Sequence, residues 1–294
     1  MAYIDLRGMG VALVTPFNQD SSVDYEALAR LIDFQIENKT DYLVLLGTTA
    51  EVPTLSQSER KEIILFTINK VAGRVPIILG YGGNNTAKVI QDIEQTDFTG
   101  ISAILSVVPY YSRPTQEGLY QHYAAISKVS KCPIILYNVP GRCGVNLSAE
   151  TTLRLAADCE NIIGIKEASG NVEQISTILS KRPSDFQVIS GDDAIALPLM
   201  TLGAVGVISV IGNALPFEFN QMVKYAIAGE SEKALDIHNT VVPLVDSLFE
   251  EGNPAGIKAM LHIMGLIENK LRLPLVPVSK SLYQKIKNLY NSSI

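Results

Sequence analysis

Pro133-Ile134-Ile135-Leu136-Tyr137 and Ile162-Ile163-Gly164-Ile165-Lys166 decide how this chain folds. Neither stretch alternates apolar with polar residues. Short, near-continuous runs of Ile, Val and Leu mark strands buried on both faces of a parallel sheet. Outward from this pair the same pattern recurs at residues 11–15, 42–47, 76–80, 101–108, 186–190 and 205–210, which makes eight expected strands.

Segments with helical spacing separate the runs. Residues 24–38 carry Leu28, Leu31 and Ile32, and residues 56–71 carry Ile63, Ile64 and Phe66. Ser56 and Glu59 form a capping box, Asp24 and Thr115 stand at N-cap positions, and Ser148 opens a helix over 149–157. Eight strand-helix units fit an α/β fold of the (β/α)8 TIM-barrel type, which takes about 250 residues, better than an open doubly wound sheet. After Pro216 the strand signal stops, and 218–228, 231–250, 254–269 and 279–290 read as helices. The expected organisation is a barrel over 1–228 and a C-terminal helical extension over 229–294, with the boundary at Gly229 and no flexible linker.

Composition narrows the function. With 294 residues, 47% apolar and 18% charged, the chain sustains a large core and excludes disordered and small disulfide-stapled classes. The 24 basic and 30 acidic residues give a net charge of −6 with no basic cluster, which argues against a nucleic-acid partner. Residues 1–17 lack a basic leader pattern, and no stretch reaches the ~18 consecutive apolar residues of a membrane span. A cytoplasmic location is expected. Cys132, Cys143 and Cys159 are odd in number and lack C-x-x-C spacing, so reduced thiols are expected.

Metal chemistry has little support, because His122, His238 and His262 are far apart and read as core or helix-surface residues. The doublets Asp192-Asp193 and Glu250-Glu251 begin or end helices, which suits macrodipole partners as well as acid/base groups. Gly80-Tyr81-Gly82-Gly83-Asn84-Asn85 follows a strand, but Asn85 replaces the third glycine of a dinucleotide loop, so a tight turn or polar lining is the better reading. Gly191 and Gly212 are placed for a barrel phosphate site, yet no basic residue stands near them in sequence.

Barrel active sites form at the C-terminal ends of the strands, where this chain offers Thr48, Thr49, Tyr110, Tyr111, Tyr137 and Lys166. An ammonium ending a wholly apolar strand is disfavoured by desolvation, which frees the amine as a nucleophile. Pairing of Lys166 with Glu167, or reach to solvent, is the open alternative. Tyr137 ends the preceding strand and supplies a phenol for the proton transfers of carbinolamine chemistry, with Thr48 and Tyr111 as further hydroxyls.

Gly47-Thr48-Thr49-Ala50-Glu51, Pro109-Tyr110-Tyr111, Tyr137-Asn138-Val139-Pro140-Gly141-Arg142, Gly164-Ile165-Lys166-Glu167 and Ser190-Gly191-Asp192-Asp193 together resemble the 4-hydroxy-tetrahydrodipicolinate synthase (dihydrodipicolinate synthase) family of pyruvate-dependent, Schiff-base class I lyases. The resemblance runs in order over nearly the whole chain. It implies condensation of pyruvate with L-aspartate-4-semialdehyde in diaminopimelate and lysine biosynthesis, with no metal or organic cofactor. It also implies that Lys166 forms the imine and that Thr49 with nearby backbone amides holds the pyruvate carboxylate. Tyr137 becomes the proton carrier, coupled to Thr48 and to Tyr111 of a neighbouring subunit, so a homo-oligomer, a dimer of dimers, is expected. Arg142 meets the aldehyde's carboxylate, while the backbone at Gly191 and Ile208 lines the site.

Arg142 separates this reading from sister lyases of ketodeoxysugar acids or sialic acid, and joint retention of Lys166, Tyr137, Thr48, Thr49 and Tyr111 separates it from a non-catalytic keto-acid-binding barrel. Two departures from the family pattern stand out, Ala50 in place of Gly and Cys143 in place of Thr. Weak lysine inhibition is also expected, because a His and a Glu that line the family's inhibitor pocket map to Gln57 and Lys88. Tyr110, Asn84 and Gly82 match the rest of that pocket.

Overall fold

The computed structural model describes residues 4–293. In chain order the elements are β1 (Gly8–Ala12), α1 (Tyr25–Glu37), β2 (Tyr42–Leu45), α2 (Gln57–Val71), β3 (Ile77–Gly80), α3 (Thr86–Gln95), β4 (Ala103–Val107), α4 (Gln116–Val129), β5 (Ile134–Asn138) and α5 (Pro140–Cys143). Then come α6 (Ala149–Asp158), β6 (Ile162–Glu167), α7 (Val172–Lys181), β7 (Gln187–Ser190), α8 (Ala196–Thr201), β8 (Gly206–Ser209), α9 (Pro216–Ile227), α10 (Ser231–Phe249), α11 (Ala255–Ile263) and α12 (Lys280–Ser293). The strands follow one another in chain order in a closed parallel barrel. No described helix is long and apolar enough to cross a membrane.

All eight expected strands exist, with shifted ends. The largest shift is in β1, which occupies Gly8–Ala12 and not 11–15. Gly8 and Gly10 add no apolar signal, yet Gly10 is needed in the strand because a Cβ there would lie 2.0 Å from the Tyr42 ring. Asp24, Ser56, Thr115 and Ser148 cap their helices as expected, Ser56 with Glu59 as a full capping box.

Contacts divide the chain into two compact units, Met1–Arg7 with Ile77–Ile208, and Gly8–Pro76 with Ser209–Ile294. In the first, β3 to β8 pair in parallel around a core that includes Ile104, Ile135, Leu136, Ile165 and Val188. The Gln187 amide fastens the N-terminal segment, accepting from Leu6 N at 2.8 Å and donating to Ile4 O at 3.0 Å. In the second, β1 pairs with β2, and the buried Asn213 amide ties β1 to the turn after β8 by accepting from Val14 N and donating to Ala12 O. Gly229, at φ +78°, separates α9 from α10 inside this unit.

Two details correct the sequence reading. The helix expected over 254–269 stops at Ile263, because Gly265 takes φ +74° and Leu266 N bonds back to Leu261 O, closing the C-terminus. Glu250-Glu251 lies at the C-terminal end of α10, where the dipole disfavours negative charge. Partners from the α12 segment answer these carboxylates: Lys285 donates to Glu250 at 2.6 Å and Ser279 N to Glu251 at 2.7 Å.

Candidate active site

The parallel register of β5 and β6 sets Tyr137 opposite Lys166 and Asn138 opposite Glu167. Side chains alternate faces along a strand, so the first pair shares one face and the second pair the other. Lys166 and Tyr137 are 5% and 7% exposed, and Lys166 Nζ lies 4.6 Å from the centre of the Tyr137 ring. Gly191, directly after β7, leaves room for this lysine: a Cβ there would sit 2.9 Å from Lys166 Cε and 3.1 Å from Cγ. Ile208 is buried in β8. Glu167 is occupied on its own side, where it accepts from Asn138 Nδ2 at 3.1 Å, Ser169 N at 2.8 Å and Gln174 Nε2 at 3.0 Å. Burial pushes its pKa up and these hydrogen bonds pull against that push.

Arg142 stands exposed on α5, a single helical turn ended by Gly144 at φ +73°. The loop carrying Tyr111 lies against this turn, with Tyr111 N donating to Cys143 O at 3.4 Å. Tyr111 itself is 91% exposed and holds a left-handed φ of +76°. Cys143, next to Arg142 in the chain, is buried as a small apolar residue, and burial raises its thiol pKa while the Arg142 charge opposes that rise.

Thr48 and Thr49 belong to the second unit, in a 3-10 turn just beyond the C-terminal end of β2. Thr49 is buried and its Oγ1 accepts from Asn253 Nδ2 at 3.0 Å. Ala50 needs no glycine, because the left-handed residue of this turn is Glu51 at φ +55°. The Glu51 carboxylate accepts from Lys258 Nζ and from Arg272 N at 3.0 Å.

Other candidates find structural roles. His122 is buried on α4 with Thr86 Oγ1 2.9 Å from its Nδ1, and burial lowers its pKa to about 4, while His262 pairs with the Tyr283 hydroxyl at 2.8 Å. Among the described residues no cluster of His, Cys, Asp and Glu could hold a metal ion. Asn85 caps α3, which makes 80–85 a turn into that helix. The phosphate reading of Gly191 and Gly212 loses its donors, because Gly191 N bonds Glu167 O and Gly212 N bonds Ser209 Oγ, both at 2.8 Å.

Asn253, Lys258, Asn138 and Gln174 escaped the sequence reading. Lys258 left a trace, as the single charge in the apolar run Ala255-Gly256-Ile257-Lys258-Ala259-Met260-Leu261. Such a charge needs a buried partner. The amides left none, because their partners lie on other elements and follow no periodic spacing, from seven residues away for Gln174 with Glu167 to 204 for Asn253 with Thr49.

The dihydrodipicolinate synthetase family model matches residues 5–292. A 4-hydroxy-tetrahydrodipicolinate synthase of Parabacteroides distasonis is 59% identical, the match covering 98% of this chain and 97% of that one. Among solved structures, the chloride-inhibited dihydrodipicolinate synthase of Acinetobacter baumannii complexed with pyruvate is 41% identical with a TM-score of 0.95, covering 98% of this chain and 99% of that one. The enzyme of Cyanidioschyzon merolae with lysine bound is 37% identical with a TM-score of 0.94, covering 98% of each chain.

Proposed function

The chain belongs to the dihydrodipicolinate synthetase family, and from that premise we propose how its own residues carry out the family's reaction. The enzyme condenses pyruvate with L-aspartate-4-semialdehyde to 4-hydroxy-tetrahydrodipicolinate, the entry to diaminopimelate and lysine. The observation that carries the residue assignment is the buried Lys166 amine lying over the Tyr137 ring in a lane kept open by Gly191. Lys166 Nζ attacks the pyruvate carbonyl carbon, and the carbinolamine loses water to give an imine. Loss of a methyl proton makes the enamine whose carbon attacks the aldehyde. The amino group of the second substrate then displaces Lys166 from the imine carbon and closes the ring. Tyr137 shuttles the protons, linked to Thr48 and to Tyr111 of a second subunit. Thr49 with its adjacent backbone amides receives the pyruvate carboxylate, the backbone at Gly191 and Ile208 lines the site, and Arg142 receives the aldehyde's carboxylate by a charge-assisted pair.

Borohydride reduction with pyruvate tests the core of this assignment. The reduced keto-acid mass is expected on the peptide holding Lys166, and Lys166→Ala abolishes it. Label on another lysine, or none on the wild type, overturns the mechanism.

Lysine inhibition is expected to be weak. Lys88 presents a cation where the inhibitor's ammonium would need a carboxylate, and Gln57 is uncharged at the start of α2. Lys88 is ion-paired with Asp92 on the exposed side of α3, so the repulsion is that of a solvated charge. A sign reversal at ~4 Å in water is worth about 2 kcal/mol, more than about tenfold in affinity. A lysine titration of initial rates at saturating pyruvate checks this, and half-inhibition below millimolar lysine contradicts it. Lys88→Glu with Gln57→His is expected to move the enzyme toward sensitivity.

A further inference from the structure

The turn that carries Arg142 is held at both ends by one polar cluster, buried at Asn138 and Glu167 and half-buried at Asn146 and Gln174. At its start, Asn138 closes β5. Its Oδ1 accepts from Leu147 N at 2.9 Å, and its Nδ2 donates to Asn146 Oδ1 at 2.8 Å and to Glu167 at 3.1 Å. At its end, Asn146 Nδ2 donates to Gln174 Oε1 at 2.8 Å, and Gln116 Nε2 donates to Asn146 O at 2.7 Å. Gln174 Nε2 reaches back to Glu167 Oε2 at 3.0 Å, Leu147 O at 3.2 Å and Asn146 Oδ1 at 3.3 Å.

Between the two anchors lies one tight helical turn. Arg142 N and Cys143 N bond to Val139 O, and Gly144 N bonds to Pro140 O. A turn this short has little freedom once its ends are fixed, so the anchors set where the guanidinium starts from. Glu167 is fully buried, and the donors that meet its carboxylate come from β5, from the backbone after β6 and from α7. Gln174 sits in the first turn of α7, where the helix is capped independently by Asn171 Oδ1 on Gln174 N. Its side chain is therefore free to serve the neighbouring loop without deciding whether α7 forms.

We propose that Gln174 and Glu167 are positioning residues that fix the Arg142 turn through Asn146 and Asn138, and so govern the second-substrate step separately from imine formation. This rests on the reading of Arg142 as the aldehyde's carboxylate partner. Neither residue lies on the Lys166 and Tyr137 face of the strands, which is why pyruvate chemistry should not feel the change.

The test is steady-state kinetics in both substrates on Gln174→Met, which keeps length and removes the amide, with Asn146→Ala as an independent break of the same cluster. Each is expected to raise KM for L-aspartate-4-semialdehyde and lower its kcat/KM about tenfold, the scale of one hydrogen bond to a charged group. KM for pyruvate and the yield of borohydride-trapped imine should stay at wild-type values. In an Arg142→Ala background the further loss from Gln174→Met should shrink below about twofold, because residues acting through one another are not additive. Equal losses for both substrates, or a full additional tenfold in that background, overturns the positioning role. If Arg142→Ala itself leaves the aldehyde parameters unchanged, the reading of Arg142 fails first, and that result is distinct from the other two.

Discussion

Lys258 and Glu51 show how a single buried charge constrains the rest of the chain. Both side chains are fully buried, Lys258 Nζ also donates to Lys270 O at 3.0 Å, and it lies 4.2 Å from the centre of the Phe17 ring. Burial lowers the lysine's pKa to about 8 while Glu51 works to raise it, so the ammonium survives at neutral pH. The pair fixes Glu51 immediately after Thr48-Thr49-Ala50, and Asn253 fixes Thr49 itself. Removing one partner leaves an uncompensated charge. Lys258→Met is therefore expected to destabilise the fold by about 3–5 kcal/mol, while Glu51→Gln with Lys258→Met recovers a large part of that loss. Urea unfolding at neutral pH measures both. A double variant as unstable as Lys258→Met alone would show that packing, and not charge, sets the cost.

Elements were legible where one physical signal dominated. Runs such as Ile134-Ile135-Leu136 can be buried on both faces only in a covered parallel sheet, and Ser56 with Glu59 satisfies the first amides of α2 whatever packs against it. The misplaced β1 marks the opposite case. Gly8 and Gly10 are glycines because Asp41 and Tyr42 press on them from the neighbouring strand, a requirement invisible without the pairing. Lys166 and Tyr137 stood out as candidates because each ends an apolar strand, whereas Arg142 was singled out only through the family resemblance. The cluster of Asn138, Asn146, Glu167 and Gln174 was not, since its hydrogen bonds join β5, β6, α7 and the loop before α6, and amides leave no periodic trace. Gly191 was named in the sequence as backbone lining, and the structure adds why it is glycine: Ala168 Cβ and the lysine stem together fill the space a side chain would take.

At the scale of the whole molecule, Tyr111 is the residue a single chain does not explain. A bulky L-residue in the left-handed region costs roughly 1–2 kcal/mol, and here it holds the ring almost wholly in solvent. Strain of this kind persists where surrounding structure requires it and gathers at functional sites. An exposed aromatic on a strained loop beside the Arg142 turn suits the proposal that Tyr111 completes the site of a second copy, where its ring would leave water. A closed symmetric dimer makes that exchange reciprocal. Subunits with Tyr111→Phe and subunits with Lys166→Ala should each be inactive or nearly so as homo-oligomers. In a hybrid, the chain that keeps Lys166 receives an intact Tyr111 from the other, so one of two sites is complete. Equal mixing with free exchange makes half the dimers hybrid, and recovery approaches about a quarter of wild-type activity. Mass spectrometry of tagged chains verifies the hybrids before rates are measured. Verified hybrids with no recovered activity would place Tyr111 in its own subunit's site and remove the catalytic reason for assembly.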